Sequence, residues 1–411
     1  MRFLPLFAAI FAITPLAIDL YLPALPRLAD SLGTNIQVMQ NSLSLYLMGY
    51  AFGMFVFGPM ADRFGRRPLL LSGLSGFVLF SWLLSQTESS EMFLVLRFLQ
   101  AFAGGAATVV IPGAIKQLFG KDTAKGLSYV SMIMMVAPMV APALGSYLLL
   151  VGEWTLIFQL LSVYALLMLI IAALFFPKLE RSQQTNQQQS ISKNESIVKL
   201  TFVSSYKKVL SRKSIHSYLA TSMLASLIFF TYITAVPFLY IQVFGLSEMT
   251  FSLLFGLNVV GLLVANFINT RLVPRFGSKV ILYAAAKIAF ILLSGLVLTV
   301  VFGLTYQWVV ALLIPAIATM MLISVNSDAL ILQQFSQLGG TATAVIGTLR
   351  FGCGALAGPL LAVLFDASAL PVVMIMFVSI ALLNLGLMTL SREGYSKQDI
   401  EGFEQLVETI K

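Results

Sequence analysis

Asp19 stands in TPLAIDLYLPALP, residues 14–26, within an otherwise apolar run, and Arg97 stands in LRFLQAFAGGAA, residues 96–107, within another. A charge facing lipid costs roughly 2.5–3.5 kcal/mol or more, whereas an acid and a base sharing an internal cavity avoid most of that. Asp19 lies seven residues before Pro26, the expected outer edge of its span, which is about 10 Å of helical rise. Arg97 lies six residues after Glu91 at the same face, about 9 Å. The two are therefore expected at similar depth, as partners. The chemistry open to them is proton exchange. Burial favours the neutral acid and a nearby guanidinium favours the ionised one, so a change in which side is open takes up or releases a proton. A purely structural ion pair is the plainer alternative.

Three further charges fall in or near apolar runs. Arg350, about 15 Å into its span, has three roles open to it: substrate contact, pairing with an acid, or helix packing. Lys287 lies close enough to the cytoplasmic end to snorkel, and Asp328 is expected near the cytoplasmic boundary. One histidine, His216, and one cysteine, Cys353, exclude a His-rich metal site, and no HExxH-like arrangement occurs. No metal or cofactor is expected, and an intramembrane enzyme has no support. Pro138, Pro142 and Gly145 share one helical face at i, i+4 and i+7, where each proline removes a backbone hydrogen bond and introduces a weak point.

The elements that must carry these residues are membrane spans. The 411-residue chain is 59% hydrophobic and only 10% charged, with a mean hydropathy of +0.93. That lies far outside the soluble range. Runs long enough to cross a bilayer occur near 3–25, 42–61, 69–86, 92–115, 126–150 and 155–176, then near 215–243, 250–268, 280–303, 307–332, 342–365 and 370–390. The expected fold is an all-α membrane protein with twelve helices in two six-helix bundles, 1–176 and 214–391. A polar, Gln-rich linker, 177–213, joins them, and a tail, 392–411, follows. In the tail Phe403, Leu406, Val407 and Ile410 share one face of an expected short surface helix. With both termini cytoplasmic, 21 of the 25 Lys and Arg fall on cytoplasmic ends and loops, and only Arg27 faces outside. The net charge of +8 then reports topology, and no nucleic-acid partner is implied.

The halves resemble each other. GPMADRFGRRP, residues 58–68, follows the second span and NTRLVPRFGSK, residues 269–279, follows the eighth. Arg63-Phe64-Gly65 recurs as Arg275-Phe276-Gly277, 212 residues later in the matching loop. Parallel repeats of this sort build many secondary transporters, with the substrate site between the halves.

GPMADRFGRRP resembles the signature loop between the second and third helices of the major facilitator superfamily, and the resemblance extends over all twelve spans. TPLAIDLYLPALP, LRFLQAFAGGAA, APMVAPALG (137–145) and GGTATAVIGTLRFG (339–352) resemble its drug:proton antiporters, particularly the bicyclomycin and chloramphenicol resistance group. The resemblance implies a conformational latch of Gly58, Asp62, Arg63, Gly65 and Arg66, with Asp62 docking near the N-terminus of the eleventh helix. There a helix dipole favours negative charge by roughly 0.3–1 kcal/mol or more. Pro274 stands where the second copy would place the acid, so the latch is expected on one side only. It also implies that Pro138, Pro142 and Gly145 bend and seal an antiporter helix, although Ala137 and Ala141 replace the glycines of the wider pattern.

The function expected is export of small amphipathic compounds in exchange for protons across a bacterial inner membrane, by a monomer embedded in the bilayer. Asp19 and Arg97 would couple the proton, and Tyr21, Tyr46, Met135, Phe229, Tyr232 and Arg350 would line the substrate cavity. Export of a metabolite or siderophore is the alternative, and proton-linked uptake a weaker one. A receptor or scaffold would need no buried charge pair.

Overall fold

The computed structural model describes residues 3–119, 123–177, 207–335 and 339–391. The expected tail helix lies outside them, as does most of the linker. Among the described residues the chain is helical throughout.

The first span is α1 (Leu4–Asp19), a 3-10 turn (Leu22–Ala24) and α2 (Leu25–Ser31) in series. Pro23 has no N–H to bond the carbonyl of Asp19, so the sequence itself breaks the span at the acid. Five helices complete the first half: α3 (Ile36–Phe64), α4 (Arg66–Leu84), α5 (Ser90–Phe119), α6 (Thr123–Val151) and α7 (Thr155–Phe175). The second half opens with α8 (His216–Pro237), extended by a π-helical turn at Phe238–Val243. The long helix Glu248–Val301 is broken at Gly277 into two spans, α9 (248–276) and α10 (278–301). Then come α11 (Tyr306–Leu332), α12 (Gly339–Gly354) and α13 (Ala357–Val363), the last two forming one span together, and α14 (Leu370–Ser391).

These helices make twelve spans among the described residues, close to the expected edges except for the first span, which runs on to Ser31, α9, which runs on to residue 276, and α3. That helix begins earlier, because Asn35 caps it by accepting from the Val38 backbone N–H at 2.9 Å. Apolar side chains such as Leu174, Ile291 and Val363 are exposed on the outside, as lipid requires. Helices α1–α7 pack mainly on one another, and so do α8–α14, giving two six-helix bundles.

The repeated Arg-Phe-Gly has one backbone form in both halves. Gly65 has φ 90° and ψ 154°, and Gly277 has φ 78° and ψ 155°. This region is essentially restricted to glycine, because a Cβ there clashes with the backbone. Each glycine lets one span end and the next begin without a loop. These two glycines mark one end of the bundle, the Gly65 end. Arg27, Glu248 and the turns at 85–89 and 302–305 lie at the other, the Glu248 end.

Candidate functional site

Asp19 is the last residue of α1 and is buried, with 4% of its surface accessible. It forms no ion pair with Arg97, which corrects the expected partnership. Their depths do match: Arg97 Nη2 donates to the Ala17 carbonyl at 3.1 Å. But Ala17 and Asp19 are two residues apart, about 200° around a helix, so a guanidinium on the first cannot face the second.

Arg97 is fully buried in a cage. Its guanidinium carbon lies 4.1 Å from the Tyr21 ring centroid, 4.3 Å from that of Tyr46 and 5.8 Å from that of Phe158. Cation–π attraction in a desolvated site of this kind is worth about 2 kcal/mol. Nη1 donates to Gln100 Oε1 at 2.7 Å, and Gln100 Nε2 donates to Ser81 Oγ at 2.8 Å, tying α5 to α4. Tyr21 and Tyr46 are therefore the walls of this cage and completely buried, where a substrate-lining role was expected. Aromatic faces replace a carboxylate as the counterpart of the cation. Tyr232 of α8 lies within electrostatic reach of Asp19 across the seam between halves. Its hydroxyl lies beside the Asn258 side chain, as that of Tyr46 lies beside Thr14. Phe229 is half-buried beside Phe230. The Met135 side chain lies outside the described residues.

The second half has its own charge centre, one that sequence reasoning underweighted. Arg350 Nη1 meets Asp328 Oδ2 at 2.8 Å. Ser222 Oγ donates to Asp328 Oδ1 at 2.8 Å, and Arg350 Nε donates to Ser226 Oγ at 3.0 Å. Of the three roles open to Arg350, pairing with an acid is the one observed. The signal was available: two serines at i, i+4 on one helix and two opposite charges in adjacent spans.

At the Glu248 end the halves are zipped together. Arg27 donates to both carboxylate oxygens of Glu248, at 2.6 and 2.8 Å, and to the Leu149 carbonyl at 2.9 Å. Ser146 and Ser252 hydroxyls meet at 2.6 Å, and Ser252 Oγ donates to the Pro142 carbonyl at 2.9 Å. The Gly358 N–H donates to Ser44 Oγ at 2.8 Å. The proline face of α6 thus meets α9 of the other half. Gly145 meets α1 so closely that a Cβ would fall 2.0 Å from the Leu20 carbonyl oxygen. Toward the Gly65 end the seam loosens. A Cβ on Gly58 would meet nothing within 4 Å, and the Arg350 and Asp328 side chains are 34% and 21% accessible. The Asp62 and Arg63 side chains lie outside the described residues. Arg66 bonds Gln117 Oε1 of α5 at 2.6 Å, and Arg67 bonds the Ala173 carbonyl of α7, so both arginines staple their own half. The Arg66 guanidinium lies against Gly113, where an added Cβ would fall 2.7 Å from its Nε.

Twelve spans in two like halves, with a carboxylate buried where the halves meet and a caged arginine inside the first half, define a multi-pass secondary transporter. The chain belongs to the major facilitator superfamily, whose family model matches residues 7–359. It is a transporter of the inner membrane and has no place among enzymes. A bicyclomycin resistance protein homolog of Haemophilus influenzae is 31% identical over 88% of this chain and 89% of its own. A chloramphenicol resistance protein of Pseudomonas aeruginosa is 28% identical over 96% and 92%. The likeness read from the motifs of the first, fourth, fifth and eleventh spans therefore holds. Among solved structures, a point mutant of the nucleoside transporter NupG covers 93% of this chain and 98% of its own with a TM-score of 0.74 at 12% identity. The partially occluded inward-open xylose transporter XylE of E. coli covers 96% and 100% with a TM-score of 0.70 at 14% identity. These two share the fold.

Proposed function

We propose that the chain exports small amphipathic compounds, drugs and antibiotics among them, in exchange for protons. The observation that carries this is Asp19: a carboxyl group buried at a helix break, on the seam between halves, with no cation bonded to it among the described residues. An acid so placed gains or loses its proton according to which side of the seam is open, and that couples proton flow to alternating access. The names of the relatives support drugs as the cargo.

In this reading both termini and the linker 177–213 are cytoplasmic, the bundles are 1–176 and 214–391, and the protein works as a monomer. The Gly65 end is then cytoplasmic and the structure is an inward-facing state, sealed outside by Arg27–Glu248 and the proline face of α6. Arg97 positions the helix that carries Asp19 through the Ala17 carbonyl. Gly58, Asp62, Arg63, Gly65 and Arg66 form the latch that closes the cytoplasmic side in the opposite state. Phe229, Tyr232 and Met135 face the substrate path. The test is resistance in an efflux-deficient host. Wild type raises the inhibitory concentration of chloramphenicol or of other amphipathic antibiotics, and Asp19→Asn, inserted at equal level, does not. Resistance equal to wild type in Asp19→Asn overturns the coupling role. Growth unaffected by any antibiotic, with export of an endogenous metabolite, moves the cargo to that class.

A further inference from the structure

Ser222, Ser226 and Phe230 occupy one stripe of α8 at i, i+4 and i+8. The first bonds Asp328, the second bonds Arg350, and the third packs against Phe351 with ring centroids 5.6 Å apart. Tyr50 from the other half closes edge-on to Phe351 at 4.7 Å. A guanidinium and an aromatic wall therefore sit about one helical turn, ~5.4 Å, apart along the same stripe. Arg350 spends Nε on Ser226 and Nη1 on Asp328, while Nη2 has no partner among the described residues. One third of the side chain is accessible, and Phe351 is half-buried beside it. A merely structural ion pair has no need of an open donor edge or of an aromatic neighbour that spans the two halves.

We propose that Arg350, with Phe351, Phe230 and Tyr50 beside it, docks aromatic compounds bearing an anionic or electron-rich oxygen group, admitted from the Gly65 end. The ring lies against the aromatic wall, and the oxygen group accepts from the free edge of the guanidinium. Asp328 holds the guanidinium in place and, as the neighbouring negative charge, limits how tightly an anion binds. A cation gains nothing from this edge. This deepens the transport reading by naming a substrate class. Binding is measured without a gradient, so it stands or falls separately from the coupling role of Asp19.

The experiment is calorimetric titration of the purified full-length protein in detergent with 4-nitrobenzoate, and with benzyltrimethylammonium as the cationic counterpart. Arg350→Gln weakens 4-nitrobenzoate binding on the order of tenfold or more, the loss of one charge-assisted hydrogen bond. Arg350→Lys, which keeps the charge, retains part of the affinity. Asp328→Asn binds 4-nitrobenzoate more tightly than wild type, and wild type binds benzyltrimethylammonium more weakly than 4-nitrobenzoate. The proposal is overturned if wild type shows no saturable 4-nitrobenzoate binding. It is equally overturned if Arg350→Gln and Asp328→Asn move that affinity in the same direction, as the two halves of a purely structural pair would.

Discussion

Gly358 is a sensitive point of the seal. Its N–H donates to Ser44 Oγ across the seam at 2.8 Å, and an added Cβ would fall 2.4 Å from that oxygen and 2.7 Å from Asn41 Oδ1. In Gly358→Ala one of two things must give. If Ser44 rotates away, a buried N–H loses its partner, at about 1–3 kcal/mol. If the halves part by about an ångström, the Ser146–Ser252 bond across the same seam lengthens as well. Either cost falls on the closed state alone, because the contact joins different halves. A bias of about 1–3 kcal/mol shifts a two-state equilibrium some 5–150-fold. Spin labels at positions 88 and 304, in turns of opposite halves at the Glu248 end, report this as growth of a longer-distance population. Ser44→Ala removes the hydrogen bond without adding bulk and should produce a smaller shift of the same sign. A folded Gly358→Ala protein with the wild-type distance distribution would refute the reasoning.

Arg27→Ala and Glu248→Gln should open the same end, with a coupling energy of roughly 0.2–1 kcal/mol in a double-mutant cycle, since Arg27 is half exposed; added salt should reduce it. Gly65→Ala and Gly277→Ala should each destabilise the protein by about 1–3 kcal/mol, read as lowered thermal stability, because both force a Cβ into a glycine-only backbone region. Equal stability of both variants with wild type would contradict the shared geometry of the two turns. Gln100→Leu leaves Arg97 Nη1 without its acceptor in a fully buried site and should lower stability by about 1–3 kcal/mol, detectable as a lower midpoint of thermal unfolding.

The spans, their number and the two-fold repeat were legible because bilayer physics writes them as long apolar runs with basic loops on one side. Arg-Phe-Gly was legible for a related reason, since only glycine takes the backbone form that its position demands. Depth along a helix was legible too, and it put Asp19 and Arg97 at one level. Direction around the helix was not used, and it separates them. Nor do charges announce their partners: Arg97 chose Tyr21 and Tyr46, an attraction that leaves no acid in the sequence to find. The seal at the Glu248 end was hidden for another reason. Arg27 stands near several acids at its end of the bundle, and its choice of Glu248 follows from how α2 and α9 meet across the seam. Asp328 was discounted for lying near the helix end, although Arg350 is long enough to reach it.

The central claim is that proton and substrate move in opposite directions through the group at Asp19. The direct measurement is substrate-induced proton movement in proteoliposomes loaded with a pH-sensitive dye, with chloramphenicol as the added compound. Wild type should move protons against the direction of drug flow, and Asp19→Asn, reconstituted at equal density, should not. Drug-driven proton movement at the wild-type rate in Asp19→Asn would contradict the account.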